Sequence, residues 1–385
     1  MKWVKLRDVA HLSREAINPE KIQPQTKYVG LEHIDSEGDM QPEYVSEGDL
    51  ASMKYAFQPH HILYGKLRPY LKKIGIPGFS GICSTDIIPI EVDARYIHNK
   101  YLSHFLRIDR MIAQAVKDCA GANLPRLSPQ KLLDFLIPLP PLAEQARIAA
   151  VLDAADQLRR ADRALLSKYD ALTQAVFYEM FGDPVKNEKG WEVKKLGEVA
   201  DKITDGEHQT PKRSGSGYML LSARNIKNSL IDLNAGVDYV PEEEFKRIIR
   251  RCNPETGDIL ISCSGTIGRV CRVRITEPFV LVRSVALVKP DKKLIESPYL
   301  ESLLQTNFMQ TVMVRESKSS SQANLFTGPI TKLPIMLPPL ALQQAFAARV
   351  QAIESQKALA AEALERSEAL MGSLMAEVFG SSKPS

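Results

Sequence analysis

Leu139-Pro140-Pro141-Leu142-Ala143-Glu144-Gln145 returns 198 positions later as Leu337-Pro338-Pro339-Leu340-Ala341-Leu342-Gln343. Phe181-Gly182 returns at the same offset as Phe379-Gly380. Near the two starts, Leu6-Arg7-Asp8-Val9-Ala10 is matched by Leu196-Gly197-Glu198-Val199-Ala200, and the only tryptophans, Trp3 and Trp191, open the two copies. The period is far too long for a solenoid. It is a duplication on the scale of a domain, and a two-part chain suits a two-part target such as duplex DNA with two half-sites.

The Pro-Pro pairs stop any helix before them and stiffen the entry to the next segment. Forty residues without Pro or Gly come after the first pair. In that stretch Ile148, Ala155, Tyr169 and Val176 form one row of seven-residue spacing, and Val151, Leu158, Leu165 and Leu172 a second; together they predict a coiled-coil seam. The second stretch offers Ile353, Ala360, Ser367 and Leu374 against Val350, Leu364, Met371 and Val378. Asp162 and Lys357 interrupt the two seams; the first reading is that both point slightly off the seam into water, and the alternative is a facing Asp–Lys pair that fixes the register. Each helix spans about 60 Å at 1.5 Å per residue, and its stripe must be buried. The short linker favours antiparallel pairing of the two helices, with a mixed domain at each end.

The remaining segments read as short strands broken by turns, with apolar runs at Cys83–Glu91 and Phe279–Lys289 and amphipathic helices at Tyr101–Ile112 and Tyr299–Val312. The fold class is therefore α/β (α+β): two mixed domains and two long antiparallel coiled-coil helices in an internal pseudo-two-fold duplication. The boundaries are 1–139 for the first domain, 140–182 for its helix, 183–189 for a linker, 190–337 for the second domain and 338–381 for its helix.

No apolar run reaches membrane-spanning length and no leader-like start is present, so the expected location is the cytoplasm, with no membrane partner. Five cysteines without close spacing predict buried reduced thiols rather than disulfides or a zinc ribbon. His60-His61 has no second cluster in the sequence, and no metal site is expected. The net charge is +4. The two helical stretches are net acidic, so the positive charge lies on the mixed domains. It gathers at Lys66-Leu67-Arg68-Pro69-Tyr70-Leu71-Lys72-Lys73, in the polar loop Thr204–Gly217, and in the stretch Arg315–Asn324.

Catalytic signatures are missing. No phosphate loop ends in Gly-Lys-Ser/Thr. Gly215-Ser216-Gly217 precedes a strand and is no dinucleotide fingerprint. Leu-Pro-Pro-Leu lacks the polar residue an adenine-methylating motif needs to hold the target amino group, and Ser264-Gly265 is no nucleophile elbow. Glu192-Val193-Lys194 has no acidic partner at nuclease spacing. The chain reads as a binder rather than a catalyst.

These features resemble the specificity subunit of type I restriction-modification systems over the full length. The resemblance rests on the repeated Leu-Pro-Pro-Leu-Ala-x-Gln helix start, on Ile62–Leu71, on Gly257-Asp258-Ile259-Leu260-Ile261-Ser262, on Gly265-Thr266-Ile267-Gly268 and on Thr204-Asp205-Gly206, all within the duplication. The second copy departs from the pattern at Leu342, where the first has Glu144. The resemblance implies two target-recognition domains that each read half of a bipartite double-stranded DNA sequence, with the helices as spacer. It implies no catalysis and no cofactor in this chain. S-adenosylmethionine would belong to two modification (methyltransferase) subunits, and ATP with Mg²⁺ to the restriction subunits they recruit. The expected DNA-contacting residues are Lys66, Arg68, Lys72 and Lys73 at phosphates in the first domain. In the second they are His208, Gln209, Lys212, Arg213, Arg224, Asn225, Gln322 and Asn324, with Gln209, Asn225 and Asn324 at base edges. Partner docking is expected at Pro140, Pro141, Leu142, Glu144, Gln145, Pro338, Pro339, Leu340 and Gln343. The rival readings are a stand-alone DNA-modifying enzyme and a coiled-coil scaffold that binds no DNA.

Overall fold

Residues 2–121, 123–317 and 324–380 are described by a computed structural model. Two compact units divide the chain: Met1–Asp162 with Ala363–Ser385, and Arg163–Glu362. The first long helix, Leu142–Phe181, and the second, Leu340–Phe379, each contribute to both units.

In the first unit, Trp3–Lys5 pairs antiparallel with Leu136–Pro138. A four-stranded antiparallel sheet comes next, in the order Ala10–Leu12, Ile87–Val92, Ile62–Gly65, Ile74–Gly75. A second, five-stranded sheet runs Ala16–Ile17, Lys54–Phe57, Gly81–Cys83, Thr26–Val29, Glu43–Val45. The second unit repeats the first half of this plan. Glu192–Lys195 pairs with Pro334–Leu337, and a four-stranded sheet runs Ala200–Asp205, Val285–Pro290, Ile259–Ser262, Val270–Arg272. Its other sheet differs: three strands, Asp238–Val240, Tyr218–Leu221 and Phe279–Leu281, with the helix Glu242–Ile249 beside them.

The predicted apolar strands and helices are present but interrupted. Ser84-Thr85-Asp86 turns the chain between Gly81–Cys83 and Ile87–Val92, closed by the Ile87 N–H donating to the Ser84 carbonyl at 2.9 Å. The expected helix 101–112 is two, Asn99–Leu106 and Asp109–Lys117, because Ile108 is extended. The expected helix 299–312 likewise splits into Ser297–Leu304 and Asn307–Ser317. Cys83, Cys252, Cys263 and Cys271 are buried free thiols, and burial pushes the first three up to about 12.

In each unit the start of one long helix lies beside the end of the other, so the segments run antiparallel. Ile148, Ala149 and Leu152 share a core with Met371, Leu374 and Phe379 in the first unit. Phe177 and Phe181 share one with Phe346 and Val350 in the second. The Phe-Gly repeat is an anchor. Phe379 packs against Tyr101 and Phe105 at 5.5 and 5.4 Å, and Phe181 against Tyr299 at 4.6 Å. Gly182 takes a positive φ of 83° at the helix end, the left-handed cap that glycine adopts without Cβ strain. Trp191 Nε1 donates to the Phe181 carbonyl there at 2.9 Å.

The second seam is as expected, and the first is half corrected. Ile148 and Ala155 face inward, but Val151, Leu158, Leu165 and Leu172 are 37, 49, 39 and 45% exposed. The inward row is one residue further on: Leu152, Arg159, Leu166, Thr173 and Met180. That row carries an arginine and a threonine, so hydrophobicity alone selected its neighbour. Arg159 is accommodated by Asp156 at 2.5 Å and by Glu37. The register pair is corrected too: Lys357 meets Asp170 at 2.5 Å in place of Asp162.

The repeated glutamines fasten each helix start to its domain. Gln145 is fully buried; its Oε1 accepts the His98 N–H at 2.8 Å, and its Nε2 donates to the carbonyls of Tyr96 (2.9 Å) and Pro140 (2.8 Å). Gln343 accepts from Glu296 N at 2.9 Å and donates to Leu294 (3.1 Å) and Pro338 (2.8 Å). Tyr101 and Tyr299 repeat the device, donating to the Pro138 and Met336 carbonyls at 2.9 Å each.

One of these joints is pH-sensitive. Asp153 on the first long helix accepts from His104 at 2.8 Å and Lys100 at 2.6 Å. The His104 hydrogen bond, and then Lys100, hold its carboxyl down at about 2, against an ordinary value of 3.8. Its contribution is therefore present above about pH 4 and lost as the pH falls towards 2. Asp153→Asn is expected to flatten the acid limb of the stability profile over that window, as measured by urea unfolding at stepped pH.

Candidate nucleic-acid interface

In the first domain the basic cluster lies just after the buried strand Ile62–Gly65. Arg68 and Lys72 hold left-handed φ values of 52° and 53° on either side of the turn Pro69–Leu71. Such positions cost non-glycine residues on the order of 1 kcal/mol or more and concentrate at functional sites. The turn buries Pro69 and exposes Arg68 and Tyr70. Arg68 has no carboxylate partner among the described residues, whereas Lys72 meets Asp109 at 2.6 Å. Lys66 is half-buried, 4.0 Å from Asp86. Lys73 is corrected to a structural role: its Nζ donates to the Leu31 and Ile34 carbonyls at 2.5 and 2.8 Å.

The residue missed here is Arg126. Its Nε and Nη2 grip the Asp86 carboxylate at 3.0 and 3.3 Å. Backbone hydrogen bonds knit the site: Lys66 N to Asp86 O at 2.9 Å and Leu127 N to Lys66 O at 2.9 Å.

In the second domain the loop 204–217 is held by its own ion pairs. His208 lies 2.7 Å from Asp205, which also receives Arg251 at 2.6 Å. Gln209 is exposed, its N–H donating to buried Glu207 at 2.8 Å. Arg213 and Arg224 converge on Asp238 at 3.5 and 2.9 Å. Lys212 is exposed and unpaired among the described residues. Asn225 is corrected: it is fully buried, its Oδ1 accepting from Ser222 N and its Nδ2 donating to the Asp232 and Gly236 carbonyls. Every polar atom of that amide is used inside the fold, so it cannot reach a base. Gln322 lies outside the described residues. Asn324 lines a recess of about 360 Å³ with His208, Ser264, Ser284 and Arg283, the last also missed from the sequence.

The two notches are the same place in the repeat. Leu325 N donates to Cys263 O at 2.9 Å and Cys263 N to Ser284 O at 2.8 Å, as Leu127, Lys66 and Asp86 do in the first domain. Asn324 thus stands where Arg126 stands, and Ser284 where Asp86 stands. The offset of 198 that links the Leu-Pro-Pro motifs also links these two pairs, and it was the signal available in the sequence.

Among the residues expected to dock partners, Pro141, Leu142 and Pro339 are exposed. Glu144 is tied to Arg147 at 2.7 Å, while its counterpart Leu342 packs on the core. Gln145 and Gln343 are corrected to internal fasteners by their burial. The histidine pair also gains neighbours: His60, His61 and Glu91 offer atoms within 4.8 Å of one another, and His11 lies 3.0 Å from Glu91. Nδ1 of His61 accepts the Gln58 N–H at 3.3 Å. The ring proton therefore sits on Nε2, the nitrogen facing Glu91, where a metal would need a lone pair. That geometry is one of histidine–carboxylate pairing.

The chain is a duplicated scaffold whose equivalent positions carry unlike hydrogen-bonding groups. The chain matches the family model described as the type I restriction modification DNA specificity domain over residues 1–166 and 188–366, and it belongs to that family. It is 28% identical over 190 residues to the type I restriction enzyme EcoDI specificity subunit of Escherichia coli, a match covering 46% of this chain and 41% of that subunit. It is 26% identical over 323 residues to the EcoBI specificity subunit of the same organism, covering 76% of this chain and 67% of the relative. The crystal structure of the type I restriction-modification S subunit from M. genitalium shares the fold at 15% identity, with a TM-score of 0.63, covering 100% of this chain and 97% of that one. No helix among the described residues is long and apolar enough to cross a membrane.

Proposed function

We propose that this chain is the non-catalytic specificity subunit of a type I restriction-modification complex and reads a bipartite sequence in double-stranded DNA. Residues 1–139 read one half and residues 190–337 the other. The observation that carries this reading is the pair of equivalent notches on one repeated scaffold, with Arg126 and Asp86 at the paired positions in the first and Asn324 and Ser284, beside Arg283, in the second. A repeated frame with unlike reading groups suits a target whose halves differ. The modification subunits hold S-adenosylmethionine and the restriction subunits use ATP and Mg²⁺. Each unit offers its own exposed apolar residues to a modification subunit: Pro141, Leu142, Val151 and Leu158 in the first, and Leu165, Leu172 and Pro339 in the second.

Mapping methylated adenines in the host genome, with and without the gene for this chain, tests the reading. A two-part motif that disappears on deletion is expected. Transfer of labelled methyl groups to DNA by the chain alone would overturn it. Arg68→Ala and Lys212→Ala are each expected to weaken binding to all duplexes alike and to lower the slope of log affinity against log salt by about one. A salt titration of the complex on specific and random duplexes measures both.

A further inference from the structure

We propose that Arg126, buttressed by Asp86, reads a guanine in the half-site of the first domain, at the place where the second domain presents Asn324. This deepens the DNA-reading function and rests on it. Base reading needs a side chain whose origin and direction are both fixed. The origin of Arg126 is fixed on two sides: its backbone pairs with Ala120 in a short antiparallel ladder and bridges to Leu67. Its direction is fixed by Asp86, which takes the Nε hydrogen and one Nη2 hydrogen at 3.0 and 3.3 Å. A guanidinium carries five N–H donors in a planar fork. With one edge spent on the carboxylate, the Nη1–Nη2 end remains, and that end matches the O6 and N7 acceptors of guanine.

Asp86 is itself held. Its carbonyl accepts from Lys66 N, and its N–H donates to Ser84 Oγ at 3.3 Å. The Arg126 side chain keeps 44% of its surface open. Beside it, Arg68 and Lys66 are placed for the phosphates that flank a read base.

The second domain changes both members of the pair together. Where the arginine becomes Asn324, the carboxylate becomes Ser284, whose Oγ accepts from Ala223 N at 3.0 Å. A carboxylate suits a guanidinium and has no use beside an amide reader. Asparagine pairs with adenine N6 and N7. One structural position thereby makes the two half-sites unlike.

The test is the adenine-methylation motif written in cells by the complete complex, compared for wild type, Arg126→Ala, Arg126→Lys and Asp86→Asn. With Arg126→Ala, preference for one guanine in one half-site is expected to fall by about 10-fold or more, while every other specified position is retained. Arg126→Lys keeps the charge but not the fork and is expected to lose the same preference; it also serves where the alanine variant folds poorly. Asp86→Asn is expected to blur that position alone. A half-site without a specified guanine, an unchanged motif in Arg126→Lys, or methylation weakened equally at all sequences overturns the assignment. Absence of any sequence-specific methylation by wild type overturns the DNA-reading function itself, and the assignment with it.

Discussion

Gln145→Leu is expected to destabilise the first unit by about 3 kcal/mol or more. The side chain is fully buried and makes three hydrogen bonds, to His98 N and to the Tyr96 and Pro140 carbonyls. Leucine fits the volume but leaves one part-buried donor and two part-buried acceptors unmatched, at roughly 1 kcal/mol or more each before relaxation. For a unit of this size that corresponds to a melting shift of about 6–12 °C. Gln343→Leu should match it in the second unit, because the three partners and their distances repeat. Glu144→Ala, one residue away, breaks only an exposed pair with Arg147 and should cost about 0.5 kcal/mol or less. Thermal and urea unfolding of the four proteins decides it. A Gln145→Leu loss as small as that of Glu144→Ala would remove the fastening role.

Glu301→Leu carries the other large effect. Glu301 is 3% exposed, and Oε1 accepts from Arg272 N at 2.8 Å. Arg274 reaches both carboxylate oxygens, at 3.1 and 2.8 Å, and Glu354 on the second long helix neutralises Arg272 at 2.9 Å. The four charges sum to zero. Arg274 also meets Glu354 at 2.5 Å, so removing Glu301 leaves two guanidinium groups sharing one carboxylate and an unpaired backbone N–H, which costs about 3 kcal/mol. Glu301→Gln keeps the acceptor for Arg272 N and should lose less. Pairing Glu301→Leu with Arg274→Met should recover much of the loss, since an apolar replacement of a whole buried pair is often neutral. A double variant as unstable as the single one would show that packing, not charge, sets the cost.

The duplication, the mixed domains and both long helices were legible because Pro-Pro starts, Phe-Gly ends and seven-residue spacing are local signals. The seam of the first helix was misread by one residue because Arg159 and Thr173 occupy inward positions that only their tertiary partners explain. The glutamine fasteners were read as partner-docking residues; nothing local distinguishes a side chain whose three partners lie 5 to 49 residues away. Asn225 was mistaken for a reader for the same reason. Arg126 was missed because its neighbourhood carries no basic run. It becomes conspicuous only when the repeat is laid over itself and the chain's folding brings Asp86 to it.

The sulfurs give the molecule an internal chronometer. Alkylating reagents attack thiolates, and a cysteine sealed in the interior with its proton held this tightly reacts only during opening. Cys83 belongs to one unit, and Cys252 and Cys271 to the other. The breathing of the two units can thus be timed separately in a single sample, with no label introduced.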